Sequence, residues 1–350
     1  MKKRMVALLC VMAVMTTAVF VGCGKEKKEK SIDAKETKEN VVEEDPAQET
    51  EVRIAALKGP TAMGMVKLMD DAEDGKTETN KYSFTISAAP DEITPSIVQG
   101  NVDIAAVPAN LAAVLAKKTE GKVQVMAINT LGVLYIVENG DTVKGVSDLK
   151  GKTIYASGKG ATPEYALNYM LTANGIDPVK DVTIEYKSEH AECVAALAKD
   201  KNAVAMLPQP FVTVAQAANE NIRVAVDMTK EWEEAAKKEG SSASLCTGVV
   251  VVRSEFAKSN PQAVALFLKQ YQASVEFTNK NVEEAATLIE KYDIVKAPIA
   301  KKAIPYCNIT YIDGADMKAK LGGYLENLFN QNPAAVGGEV PGDEFYYVQE

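Results

Sequence analysis

From Glu51 onward the chain alternates between short apolar runs and longer amphipathic stretches, and this rhythm restricts the fold more than any other feature. "EVRIAAL", residues 51 to 57, reads as a strand that Gly59 and Pro60 break. Ala62, Met65, Val66 and Met69 then recur at i, i+3, i+4 and i+7, the apolar stripe of a helix. "KYSFTISA" alternates as a second strand, and a short helix leads to a strand at 102–107. A helix from Ala109 and strands at 123–128 and 132–137 complete a first unit. A second unit begins near Gly140 and repeats the alternation until the polar stretch between Trp232 and Ser244. "SLCTGVVVVRSEF" then leads back, and residues 261–347 are mainly helical. Strands alternating with helices imply parallel sheets with helices on their faces. A chain that leaves one unit and returns implies two α/β lobes joined by crossover strands. Residues 51–138 with 245–350 are expected to form lobe I, and 139–244 lobe II. The cleft between two such lobes is the expected ligand site.

The segment ahead of these lobes has a different character. Lys2, Lys3 and Arg4 precede an almost wholly apolar run from Met5 to Val21, and Gly22 stands before Cys23. That is the build of a secretory signal peptide over residues 1–22. The alternative is a retained anchor, for which the run is marginal against a bilayer core of ~30 Å. Phe20-Val21-Gly22-Cys23 resembles the lipobox of bacterial lipoproteins, departing from it at Phe20, where leucine is usual. The resemblance implies that Cys23 is diacylated and becomes the new N-terminus. Acyl chains at ~0.8 kcal/mol per buried CH₂ then hold the protein on the extracytoplasmic face of the cell membrane. Residues 24–50 lack aromatic side chains and are rich in Lys and Glu, so residues 23–50 read as a lipidated cysteine and a disordered tether.

Charge excludes some partners. The formal net charge of −9 becomes −12 once Lys2, Lys3 and Arg4 leave with the signal peptide. An acidic chain without a dense basic patch is a poor binder of nucleic acid, and it will not lie on an anionic bilayer by electrostatics alone. Beyond Cys10 and Cys23, only Cys193, Cys246 and Cys307 remain, too few for a disulfide framework and readable as buried thiols with at most one pair. His190 is the only histidine, which excludes a multi-histidine metal site. His190 and Cys193 at i, i+3 are two ligands without partners. No metal and no cofactor are expected.

Three turns stand out as strand-to-helix junctions. They are Lys58-Gly59-Pro60-Thr61, Val107-Pro108-Ala109-Asn110 and Gly158-Lys159-Gly160-Ala161-Thr162. A helix start presents free backbone N–H groups and a partial positive charge, which suits a carboxylate, sulfonate, phosphate or nitrate. Each is equally readable as an ordinary turn, but their occurrence in both lobes favours a shared site. Gln209, at a turn after an apolar strand, is placed for a hydrogen bond in the cleft or for capping. Thr247 lies where the chain crosses back and faces the cleft or a buried sheet. Two near-motifs fail. The glycines at 158 and 160 lack the third of a dinucleotide fingerprint, and Gly145 to Thr153 is one residue too long for a P-loop and opens a strand. Neither a G-x-S-x-G elbow nor an H-E-x-x-H pair is present.

The stretches "GVSDLKGKTIYASGKGATPEYALNYML" and "PSIVQGNVDIAAVPANLAAVL", with the tail "GGEVPGDEFYY", resemble solute-binding proteins of ABC transporters. The resemblance is to the group that binds nitrate, sulfonates, taurine and thiamine precursors, and it runs from about Val52 to the end. It implies the type 2 periplasmic-binding fold, an α/β architecture of two lobes, each a mainly parallel sheet flanked by helices, joined by two crossover strands. It also implies ligand contacts from Lys58, Gly59, Pro60, Thr61 and Ala62, from Asn110, and from Gly160, Ala161 and Thr162. Thr61, Asn110, Asn129, Thr162 and Thr247 suit a small organic anion. The expected function is a monomeric extracytoplasmic binding component that delivers this solute to an ABC permease and its ATPase, without catalysis. Two rivals stay open. One is a same-fold enzyme of the menaquinone-pathway type with His190 as base, although "SEHAECVAALAKD" reads as a helix with His190 on its solvent side. The other is a sensor or binding module that serves no transporter.

Overall fold

A computed structural model describes residues 49–349. The signal peptide, Cys23 and all but the last two residues of the expected tether lie outside the described residues.

The chain runs through β1 (Thr50–Leu57), α1 (Pro60–Met63), α2 (Val66–Glu73), β2 (Asn80–Ser87), α3 (Pro90–Val98), β3 (Ile104–Pro108), α4 (Ala109–Lys118) and β4 (Val123–Leu131). It then crosses to β5 (Leu134–Asn139), β6 (Thr153–Ser157), α5 (Thr162–Ala173), β7 (Thr183–Lys187), α6 (His190–Lys199), β8 (Val204–Pro208), α7 (Phe211–Ala218), β9 (Ile222–Asp227) and α8 (Met228–Lys238). It returns as β10 (Cys246–Arg253), followed by α9 (Ser254–Ser259), α10 (Pro261–Lys280), α11 (Val282–Lys291), α12 (Ala297–Ala303), β11 (Ile309–Ile312) and α13 (Gly314–Gln331).

Two mixed sheets result, a six-stranded one in the order β11-β4-β10-β3-β1-β2 and a five-stranded one in the order β7-β6-β8-β5-β9. They share one plan. In each, four strands run the same way and one incoming strand is inserted antiparallel between the third and the fourth, and in the first sheet β11 adds a further antiparallel strand beyond β4. The inserted strand is β10 in the first sheet and β5 in the second. A strand arriving from the other sheet enters from the opposite end, hence its reversed direction. The first crossing falls between Leu131 and Leu134, so residues 134–138 belong to the second sheet, earlier than the boundary expected after residue 138.

Alternation along each strand feeds two layers. Ile54, Ile104 and Val250 face Phe267, Tyr271 and Ile289 on one side of the first sheet. Ala105, Val249 and Val251 face α4 and α13 on the other. That apolar layer continues into the second sheet through Ile136, Ile154 and Met206, against Leu167 of α5 and Trp232 of α8. A third layer sets Val137 and Leu207 against Leu197 and Val212. Each of the valine, leucine, isoleucine, methionine and phenylalanine side chains among them contributes about 1.5–3 kcal/mol through burial.

The helix expected across Ala62 to Met69 is two helices. The Ser274 hydroxyl of α10 accepts from Leu68 N–H at 3.1 Å and donates to Gly64 C=O at 2.7 Å. These are the i, i+4 groups that a continuous helix would join directly, so the inserted hydroxyl is the cause of the break.

Candidate functional site

Each helix that matters here starts where a strand ends. β2 gives way to Pro90, the first residue of α3, and β3 to α4, whose second residue is Asn110. β6 leads to Thr162, the first residue of α5, and β7 to His190, the first of α6. These starts, with Pro208 at the end of β8, Leu134 at the entry of β5 and Thr247 at the entry of β10, line one cavity of about 340 Å³. It opens at the carboxyl ends of strands from both sheets, where ligands gather in open α/β folds. Hollows of about 740 and 720 Å³ lie elsewhere, beside the segment 339–349, and each draws on the first sheet's side alone.

Most of the cavity wall is apolar, with Pro90, Pro108, Leu111, Val133, Leu134, Pro163 and Pro208. Four side chains supply polarity. Thr162 Oγ1 donates to Asn110 Oδ1 at 3.3 Å, joining the second sheet's helix start to the first sheet's, and it accepts from the buried Tyr324 hydroxyl at 3.1 Å. Asn110 Nδ2 reaches Ala335 C=O at 3.4 Å. Thr247 Oγ1 donates to Leu131 C=O at 2.5 Å, tying the two crossing segments together. The His190 ring lies 5.0 Å from that of Phe211, tilted by 47°, and its Nδ1 lies 2.5 Å from Ser157 Oγ. Burial lowers the His190 pKa from its ordinary 6.5, because the charged ring would lose its hydration.

Three of these helix starts carry the same local device. Glu92, Glu164 and Glu192, each the third residue of its helix, accept from the backbone N–H four residues back, at Ala88 (3.0 Å), Gly160 (2.6 Å) and Ser188 (2.9 Å). The carboxylates fix the entering chain and offset the positive end of the dipole. At α4 the third residue is Leu111, on the cavity wall, and the first turn holds no acidic residue.

The residues expected to bind divide into two sets. Asn110, Ala161, Thr162 and Thr247 are brought together on the cavity wall. Thr61 and Asn129 lie just behind Thr247. Asn129 Nδ2 donates to Thr61 C=O at 3.3 Å, and a Cβ at Gly248 would stand 2.5 Å from Asn129 Oδ1 and 2.6 Å from Thr61 Cγ2. The rest of the first turn is not on the wall. Lys58 Nζ pairs with Asp293 at 2.9 Å, Thr61 Oγ1 donates to Leu57 C=O at 2.8 Å, and Ala62 is wholly buried in the core. Gly59, with φ +121°, and Pro60 open only a four-residue helix there. Gly160, at φ +76°, donates its N–H to Glu164. Gln209 is buried, and its Oε1 accepts from the Thr213 hydroxyl at 2.9 Å, so it serves α7, while its neighbour Pro208 reaches the cavity.

His190 corrects an expectation, since it stands on the cavity wall and not on a solvent-facing helix side. The cause is position, because α6 starts at the carboxyl end of β7, where this chain turns into the cleft whatever the stripe further along. Pro90 was missed for the same reason, although "SAAPDE" and "KSEHAE" repeat one pattern of strand, turn and third-residue glutamate. Cys193, Cys246 and Cys307 are free and buried, and burial pushes the Cys193 thiol up to about 11. No group of three His, Cys, Asp or Glu side chains suited to a metal occurs among the described residues. Nor is any helix among them long and apolar enough to cross a membrane.

A family profile described as "ABC transporter, phosphonate, periplasmic substrate-binding protein" matches residues 77–298, more than half of the chain. No curated protein matches the sequence. Among solved structures, an ABC transporter protein from Parabacteroides distasonis is similar at 22% identity with a TM-score of 0.71, over 86% of this chain and 100% of that one. The periplasmic aliphatic sulphonate binding protein SsuA of Escherichia coli is similar at 17% identity with a TM-score of 0.67, over 86% of this chain and 92% of that one. The alkanesulfonate-binding protein SsuA of Xanthomonas axonopodis pv. citri, bound to MOPS, follows at 14% identity and 0.57, over 85% and 96%. At these identities the likeness carries the fold, which is the periplasmic-binding fold.

Proposed function

The chain belongs to the phosphonate family of ABC-transporter periplasmic substrate-binding proteins, and on that premise we propose that it captures a small oxyanion in the cavity between its two sheets and hands it to a membrane permease with its ATPase. The observation that carries this reading is the convergence of Asn110, Thr162, His190 and Thr247, at the helix starts and the crossing strands, on one cavity. Backbone N–H groups at the start of α4, which carries no acidic residue in its first turn, are the donors for the anion. We assign the Ser157 hydroxyl as the donor to Nδ1, the tautomer in which His190 carries its proton on Nε2 and presents a further donor. The family and its structural neighbours are substrate-binding transport proteins, and His190 is read here as a ligand donor and not as a base. Residues 51–131 with 246–349 are proposed as one lobe and 134–244 as the other. A ligand touching both favours the closed arrangement. Cys23 is proposed as the lipidated N-terminus, which holds the protein beside its permease.

A thermal-denaturation series with alkylsulfonates, nitrate, alkylphosphonates and small carboxylates tests the reading. A true ligand at ~100 times its dissociation constant adds about 2.7 kcal/mol. No stabilisation by any of the four classes would sink the oxyanion assignment and leave the fold untouched.

A further inference from the structure

The cavity's charge and wall bear on which oxyanions it accepts, a point that rests on the oxyanion reading above. Among the described residues, no side chain on the wall is a lysine, arginine, aspartate or glutamate. Off the wall, the adjoining turns carry charges of both signs: Glu92, Glu164 and Glu192 accept backbone N–H groups of the entering chain, and Lys159 Nζ lies 5.8 Å from the centre of the Tyr186 ring. On the wall itself, helix dipoles and hydrogen bonds are therefore the means of holding an anion. Each helix end supplies about half an elementary charge, and three of the four are already offset by a glutamate. Such a site compensates one negative charge and leaves a second without a partner, at the desolvation cost of a buried, unpaired charge. Beyond the head, Leu111, Val133, Leu134 and Pro208 offer apolar surface, and Asn110 Oδ1, the one side-chain amide oxygen there, already accepts from Thr162. An ammonium on the ligand's tail would lose its hydration and find no carboxylate in exchange.

We infer that the site selects oxyanions with a singly charged head and an uncharged apolar tail, and discriminates against both dianionic alkylphosphonates and zwitterionic aminoalkyl compounds. The dianionic head is the one that the family's description would suggest, so the inference narrows the family's range for this chain. Three near-isosteric probes separate the terms: propanesulfonate, propylphosphonate and taurine. The phosphonate adds one charge at mildly alkaline pH, and taurine replaces the terminal methyl by an ammonium.

Calorimetric titration of the purified protein is expected to give the tightest binding for propanesulfonate, with each of the other two at least about tenfold weaker, about 1.4 kcal/mol apiece. A second measurement uses Leu111→Lys, which sets a cation on the wall at the start of α4. It is expected to raise the affinity for propylphosphonate relative to propanesulfonate. Equal or tighter binding of propylphosphonate or taurine by the unaltered protein overturns the inference alone. Failure of all three probes to bind overturns the inference, and the oxyanion reading falls with it when nitrate and small carboxylates also fail to bind.

Discussion

Thr162 carries two partners on a single hydroxyl, Asn110 across the cavity and Tyr324 from α13. The residue is 8% exposed and Tyr324 is wholly buried, so replacing the hydroxyl with a methyl strands a buried phenol. Thr162→Val is expected to destabilise the protein by about 1–3 kcal/mol, read from urea unfolding midpoints. In a Tyr324→Phe background the same substitution should cost measurably less, and strictly additive losses would argue against the coupling. His190 gives a pH dependence whose sign follows from its burial. Its folded pKa lies below the ordinary 6.5, so the contribution is complete above that value. As the pH falls through 6.5 the unfolded chain takes up a proton that the folded protein resists, and stability declines until the folded pKa is passed. Unfolding midpoints taken from neutral to mildly acidic pH should fall more steeply for the natural protein than for His190→Gln. Parallel curves would count against it.

At the scale of elements, the break between α1 and α2 is built by a residue more than two hundred positions away, since Ser274 occupies the hydrogen-bonding groups of Gly64 and Leu68. Ser274→Ala leaves both backbone groups buried without that partner, and a loss of about 1–3 kcal/mol is expected by denaturant titration. An unchanged midpoint would mean that the helix closes over the gap. This is also why the periodicity at Ala62, Met65, Val66 and Met69 pointed to one helix. The stripe records which face is buried, and that face is continuous across the break. Strands were legible because their apolar runs are short and bounded by Gly, Pro and Asp, as at β1, β3 and β6. Asn110 and Thr162 were legible as helix starts after such strands. His190 was not, because its helix stripe, read alone, turns the first residue outward.

For the whole molecule, the return of the chain from the second unit to the first predicted two halves and two crossings, and the alternating pattern supplied that much. What local pattern does not contain is where incoming strands insert. β10 between β3 and β4, and β5 between β8 and β9, are long-range pairings fixed by packing on both faces. Nor does it contain the role of α13, which packs on β4 and β10 of the first sheet. Through Tyr324 it also meets Thr162 and Trp232 of the second half. Trp232 is the only tryptophan in the chain, with its ring 4.2 Å from Tyr169 on one side and 5.5 Å from Tyr324 on the other. The indole is buried and its Nε1 has no hydrogen-bond partner among the described residues. Its emission therefore comes from one buried position at the seam between the two halves, and a change in their separation alters what the indole sees. The protein carries its own optical gauge, readable without a label or an engineered site.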